Sequence, residues 1–268
     1  MLAIAHLLAI FFYIGAAALA AAPFARPVAA PVRGVVALLA CGVLSHFVAI
    51  VGFVRAFGQP PLTGIGPALS FAGFMLALIL LVVELLASEV SLTLVAAPLA
   101  AVATTFATVT GLVPASEPAG ARGIWLTSHI ALSFLGIAGF ATAAAAGAMY
   151  LLERHELKSR RFGAIFRFFP PLETLDRVNH VAAIGGWLAL TLGISLAASY
   201  SVVYREVDVP QIVWGLAAWL GVTVLTIGRV LAGWQARRAA AVSSIGFAAV
   251  VILYVLFRTT APAGGQFL

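Results

Sequence analysis

Charge is the scarcest commodity in this chain. Fifteen Lys and Arg and nine Asp and Glu make up 9% of 268 residues, while 63% are hydrophobic and the mean hydropathy is +1.12. So little polar surface cannot wrap a soluble fold of this size, which identifies an integral membrane protein. No polar stretch is long enough to fold alone, so residues 1–268 read as a single transmembrane domain. There is one cysteine, Cys41, inside a hydrophobic run. That excludes disulfides within the chain, Cys-x-x-Cys redox chemistry and covalent attachment through Cys-x-x-Cys-His. A Walker motif, zinc-ligand spacing and Gly-x-Ser-x-Gly are all missing. No pair of interrupted helices carries facing charges, which argues against an ion-coupled transporter. The net charge of +6 gathers in a few loops, where it sets topology and does not point to nucleic acid.

What is present is apolar length. Runs at 2–22, 33–54, 67–87, 91–113, 123–152, 179–202, 211–232 and 239–257 each approach the ~20 residues that a bilayer crossing requires. They are apolar all round, without strand alternation, so the expected fold is an all-α bundle of about eight transmembrane helices. The first run resembles a signal peptide but lacks a basic leader, and it reads as a retained helix. Most prolines fall at run ends, whereas Pro98 lies inside the fourth run and predicts a kink. Arg26, Arg33, Arg154, Lys158, Arg160, Arg161, Arg167, Arg177, Arg229, Arg237 and Arg238 fall on one side by alternate loops. Arg55, Arg122, Arg205 and Arg258 fall on the other. Such a bias places the first set in the cytoplasm and both termini outside, as in a multi-pass protein of the bacterial inner membrane.

Five histidines are the candidates for chemistry. His46 lies well inside the second run, where an ionisable group is expensive and marks a functional site by default. Neutral imidazole ligates haem iron; the plainer role is a hydrogen bond to a carbonyl or to Ser45. His129 stands one helical turn after Trp125, so both share a face at the outer membrane edge. An iron ligand beside an indole suits a flat macrocycle, and an interfacial aromatic–histidine pair is the alternative. Trp214 and Trp219 belong either to an aromatic belt or, with Trp125, to an outward groove for a porphyrin. His6, and Asn179 with His180, read as polar helix ends, and His155 as part of a solvated loop. Glu84 is placed to reach the interface or a loop arginine. Glu206 and Asp208 are too isolated for an acid–base pair.

Residues 153–178 form a basic cytoplasmic loop. Within it, Pro170-Pro-Leu-Glu-Thr-Leu-Asp-Arg177 reads as a short interfacial amphipathic helix, with Glu173 and Arg177 paired at i, i+4. Anionic lipid headgroups or a cytosolic partner would meet this surface.

Taken in order, several segments resemble the cytochrome c assembly family of CcsA/CcmC/HemX type. They are the His46 helix with Arg55 and Phe57-Gly-Gln-Pro-Pro-Leu62, then Thr127-Ser-His129, then Pro170 to Arg177 leading into Leu190-Thr-Leu-Gly-Ile194. The last are Trp219, Arg229, Gly233-Trp234, Arg237-Arg238 and Gly246-Phe247. The resemblance covers most of the chain. It implies haem handling, with the outer histidine, here His129, as an iron ligand, His46 as a second and heme b as cofactor. The departures are specific. The region Tyr204 to Trp214 lacks the family synthases' tryptophan-rich segment, Ile227 stands where a histidine is expected, and the tail 258–268 has none. These argue against an autonomous synthase and for the shorter HemX/YpjD-type branch. Such a protein would be an accessory that holds haem for other assembly proteins and needs no catalysis of its own. The alternative is a regulatory scaffold whose basic loop binds a cytosolic haem-synthesis enzyme. A permease is disfavoured by the lack of intramembrane charge.

Overall fold

A computed structural model of the chain describes residues 2–25, 31–87, 92–114, 121–159, 169–205 and 209–260. All regular structure among them is helical: α1 (Leu2–Ala20), α2 (Ala22–Ala25), α3 (Val32–Phe57), α4 (Ile65–Ala87), α5 (Thr93–Thr110), α6 (Ala121–Ser159), α7 (Leu172–Tyr204), α8 (Val209–Val230) and α9 (Ala236–Thr260). Eight of these, all but α2, are long and apolar enough to cross a membrane. The chain is therefore a multi-pass all-α membrane protein. Hydrocarbon offers no partner for a free N–H or C=O, so each apolar run closes its backbone bonds within its own helix.

Helix ends depart from the apolar runs at one place. The expected loop from residue 153 does not begin there, because α6 continues through Glu153-Arg154-His155-Glu156 to Ser159. Nor is 170–177 a separate interfacial helix: Leu172 opens α7, which runs unbroken to Tyr204. Hydropathy marks where lipid-compatible side chains stop, whereas Glu, Arg, Lys and Leu go on forming helix in water. Pro170-Pro171 marks the true start. Asn179 and His180 accordingly sit about two turns inside α7 rather than at its end. α5 contains Pro98 within its span. Arg26, Arg160, Arg161, Arg167, Glu206, Asp208 and the tail from 261 lie outside the described residues.

The chain packs as two compact units, one of residues 1–117 with 155–171 and one of 118–154 with 172–268. In the first, α1 packs on α3 and α5, and α4 on α5 and α3. Small residues let these helices close: a Cβ on Gly42 would stand 2.6 Å from the Tyr13 ring, and one on Gly73 3.2 Å from the Ala100 carbonyl. Glu84 is buried at the foot of α4. Its Oε1 accepts the Thr93 N–H at 3.0 Å and the Thr93 hydroxyl at 2.9 Å, capping α5.

In the second unit α7 meets α6 along a glycine seam. A Cβ on Gly139 would stand 2.8 Å from the Gly186 Cα, and one on Gly193 2.9 Å from Ser133 Oγ. Backbone contact of this kind is how helices associate where lipid removes the hydrophobic drive. Phe140, Leu190, Ala218, Val222, Leu225 and Val250 form the core. Buried Asn179 reaches from α7 to the Ala143 carbonyl on α6 (2.6 Å) and to Ser243 Oγ on α9 (2.8 Å).

Candidate functional site

The glycine seam positions His129. Because Gly193 has no side chain, α6 comes close enough for the His129 Nδ1–H to donate to the Gly193 carbonyl at 2.8 Å. A carbonyl only accepts, so the proton is on Nδ1 and the lone pair on Nε2. That Nε2 has no hydrogen-bond partner among the described residues, and the half-buried ring is held by α7. One turn earlier Trp125 does the same, its Nε1–H donating to the Leu196 carbonyl at 3.0 Å. Its indole meets Tyr200 and Tyr204 edge-on, at centroid distances of 6.3 and 6.1 Å. Trp125 and His129 thus share a face of α6, as their spacing predicts, and both are oriented by α7 carbonyls.

Trp214 and Trp219 are half-buried on α8, and their N–H groups point to different neighbours. Trp214 donates to the Val250 carbonyl of α9 at 3.1 Å and packs on Tyr254. Trp219 donates to Thr191 Oγ1 at 2.9 Å. Trp187 returns the same bond from α7, to Thr223 Oγ1 at 3.0 Å. Thr191 and Gly193 are about 200° apart around α7 at 100° per residue. Trp219 therefore meets a different face of α7 from the one that holds His129.

His46 is fully buried in the first unit, and both its ring nitrogens are engaged. The partner is not Ser45. Tyr13 Oη stands 3.2 Å from Nδ1 and Ser70 Oγ 3.0 Å from Nε2. Ser70 Oγ also lies 2.8 Å from His6 Nε2, and His6 Nδ1 lies 2.9 Å from the Leu2 carbonyl. That carbonyl fixes every proton in the chain of neutral groups. His6 donates to Leu2 through Nδ1, so its Nε2 accepts the Ser70 hydroxyl. Ser70 in turn accepts His46 Nε2–H, and His46 Nδ1 accepts Tyr13 O–H. From sequence His6 reads as a polar helix end, and Tyr13 and Ser70 carry no expected role. Their one sequence signal is the seven-residue interval from His6 to Tyr13, two turns along one face of α1.

A second cluster joins two segments of the family resemblance. Arg229 on α8 donates to Asp176 Oδ1 at 2.6 Å from Nη1, to the Asp176 carbonyl at 3.0 Å from Nη2, and to His180 Nδ1 at 3.3 Å from Nε. Asp176, not Glu173, makes the ion pair here; Glu173 and Arg177 are both exposed. No group of three or more His, Cys, Asp or Glu side chains among the described residues could share a metal ion.

The family model for Cytochrome C assembly protein matches residues 4–262. A 28.8 kDa protein in the nifR3-like 5' region of Azospirillum brasilense is 29% identical over 155 residues, 56% of this chain and 56% of that protein. The cytochrome c biogenesis protein CcsA of Synechococcus sp. (strain WH7803) is 32% identical over 91 residues, 32% of this chain and 28% of its own length. CcsA of Synechococcus elongatus is 32% identical over 87 residues, covering 31% and 26%. The matches thus span about half of the first relative and about a quarter of the CcsA proteins. No solved structure matches.

Proposed function

This chain belongs to the cytochrome c assembly protein family, and from that premise we propose that it acts in cytochrome c biogenesis as a haem-handling protein of the bacterial inner membrane. His129 is the proposed iron ligand and Trp125 its flanking aromatic. The observation that carries this reading is the His129 Nδ1–H bond to the Gly193 carbonyl. Metal-ligating histidines characteristically donate their other ring N–H to a carbonyl or carboxylate, which fixes the tautomer and aims the remaining lone pair. The residues present therefore fit one imidazole that would hold the iron, His129. His46, with both nitrogens engaged, is left out of this ligand set.

When bound, heme b would supply the porphyrin that a partner attaches to an apocytochrome. The work of this chain is to hold and present it. α7 fixes the imidazole through Gly193 and the indole through Leu196. The departures from the synthase pattern at 204–214 and Ile227 favour the short HemX/YpjD-type branch and an accessory role. Other assembly proteins of the same membrane would be the partners.

Replacement of His129 by Ala tests the reading. Haem co-purified per protein should fall on the order of tenfold or more, since even an outer-shell change at a metal site costs 10–100-fold. Helical circular dichroism should be unchanged. Equal haem content in the variant would reject His129 as the ligand.

A further inference from the structure

The turn that joins α8 to α9 in the second unit carries charge and apolar surface that haem handling does not use. Its arginines are of two kinds. Arg229, at the end of α8, is turned inward: its side chain is 7% exposed and is engaged by Asp176 and His180. Arg237 and Arg238 are exposed and have no ion-pair partner among the described residues. No acidic residue stands in the first turn of α9 beside them. Arg238 is nevertheless held in place. Its guanidinium lies 5.3 Å from the Trp234 ring centroid, a cation–π contact. The indole in turn rests on α8, where a Cβ at Gly228 would stand 2.5 Å from the ring. Gly233, left-handed at φ +60°, lets the chain fold back there, and the Trp234 N–H donates to the Gly228 carbonyl at 2.9 Å. The tip of the turn beside these cations is apolar: Val230 is 59% and Leu231 77% exposed.

We propose that Arg237 and Arg238 hold the phosphate of an anionic phospholipid, with Val230 and Leu231 against its acyl chains. Trp234 fixes the Arg238 guanidinium at the depth of the headgroups, where indole rings partition. The pairing of charge with an apolar tip selects this occupant. Guanidinium groups bind phosphate oxygens through paired N–H donors. An acidic soluble protein would match the arginines but leave Leu231 facing water, at the cost of exposed apolar surface. A zwitterionic headgroup offers the same phosphate together with a cation, which two neighbouring arginines repel. In the expected orientation this turn meets the cytoplasmic leaflet, whose anionic lipids attract basic segments.

The test titrates delipidated full-length protein in detergent with phosphatidylglycerol and, separately, with phosphatidylcholine, and counts bound lipids by native mass spectrometry. The wild type should hold one phosphatidylglycerol roughly tenfold more tightly than phosphatidylcholine. Arg237→Gln/Arg238→Gln should weaken phosphatidylglycerol binding about 25-fold, about fivefold for each arginine near an anionic headgroup. Leu231→Ser should weaken it as well. Arg177→Gln, which removes an exposed cation at the start of α7, and His129→Ala should leave it unchanged. Equal affinity of the wild type for the two lipids would overturn the proposal without recourse to any variant. So would an equal loss in Arg177→Gln, which would make the attraction a diffuse property of the basic face. Displacement of the lipid by an equal concentration of glycerol phosphate would also overturn it, by assigning the arginines to a free phosphate.

Discussion

At the residue scale, the chain from Tyr13 to Leu2 shows why a single hydroxyl can matter more than a phenol. Ser70 is the only member that both donates to one histidine and accepts from the other. Ser70→Ala leaves a buried N–H on His46 and a buried lone pair on His6, and each such orphan costs about 1–3 kcal/mol. Tyr13→Phe removes only the terminal donor, and a typical net hydrogen bond is about 1 kcal/mol. Ser70→Ala should therefore unfold earlier in an SDS titration than Tyr13→Phe. The opposite order would mean that water or repacking heals the gap at Ser70. Of this network only His46 stood out in the sequence, because a histidine deep in an apolar run is conspicuous. Serine and tyrosine are ordinary in such runs, and what makes them partners is the approach of α1, α3 and α4, which no local pattern encodes. Asp176 was hidden for the same reason. Its partner Arg229 lies 53 residues away, and the nearer i, i+4 pair of Glu173 and Arg177 was the more obvious choice.

At the element scale, the seam between α6 and α7 carries the account of His129. A Cβ at Gly139 would meet the Gly186 backbone, whereas one at Gly185, a neighbour in sequence on the outer side of α7, meets nothing within 4 Å. Gly139→Ala should destabilise the fold by about 1–3 kcal/mol, the usual cost of overpacking. Gly185→Ala should be neutral or stabilising by up to about 1 kcal/mol, since Ala is the better helix former. Circular dichroism through a mixed-micelle unfolding titration measures both, and matching losses would show that the seam is not close-packed. Helix number and type were legible because lipid solvation forces one backbone solution on every long apolar run. Helix ends were not, at the polar side of α6 and α7. There the hydropathy signal stops at the membrane boundary, while α6 extends as far as Ser159 and α7 is helical from Leu172 onward. The turn between α8 and α9 was marked by Gly233, whose φ of +60° is left-handed and suits glycine.

At the scale of the whole molecule, the bias of Lys and Arg toward one set of loops fixes an expected orientation. With Cys41 replaced by Ala, a cysteine at Gln59 should react with a membrane-impermeant maleimide in intact spheroplasts. One at Lys158 should react only after permeabilisation. The reverse pattern would put His129 at the cytoplasmic edge and undo the topology on which its role rests.

The most direct measurement of the central claim is the absorption spectrum of the detergent-purified protein during haem titration, for wild type and for His129→Ala. The account predicts a sharp Soret band that saturates at one haem per chain in the wild type and is shifted or lost in the variant, with His46→Ala resembling wild type. A spectrum of free haem in all three proteins would contradict it, and would favour a scaffold that recruits a cytosolic haem-synthesis enzyme without binding haem.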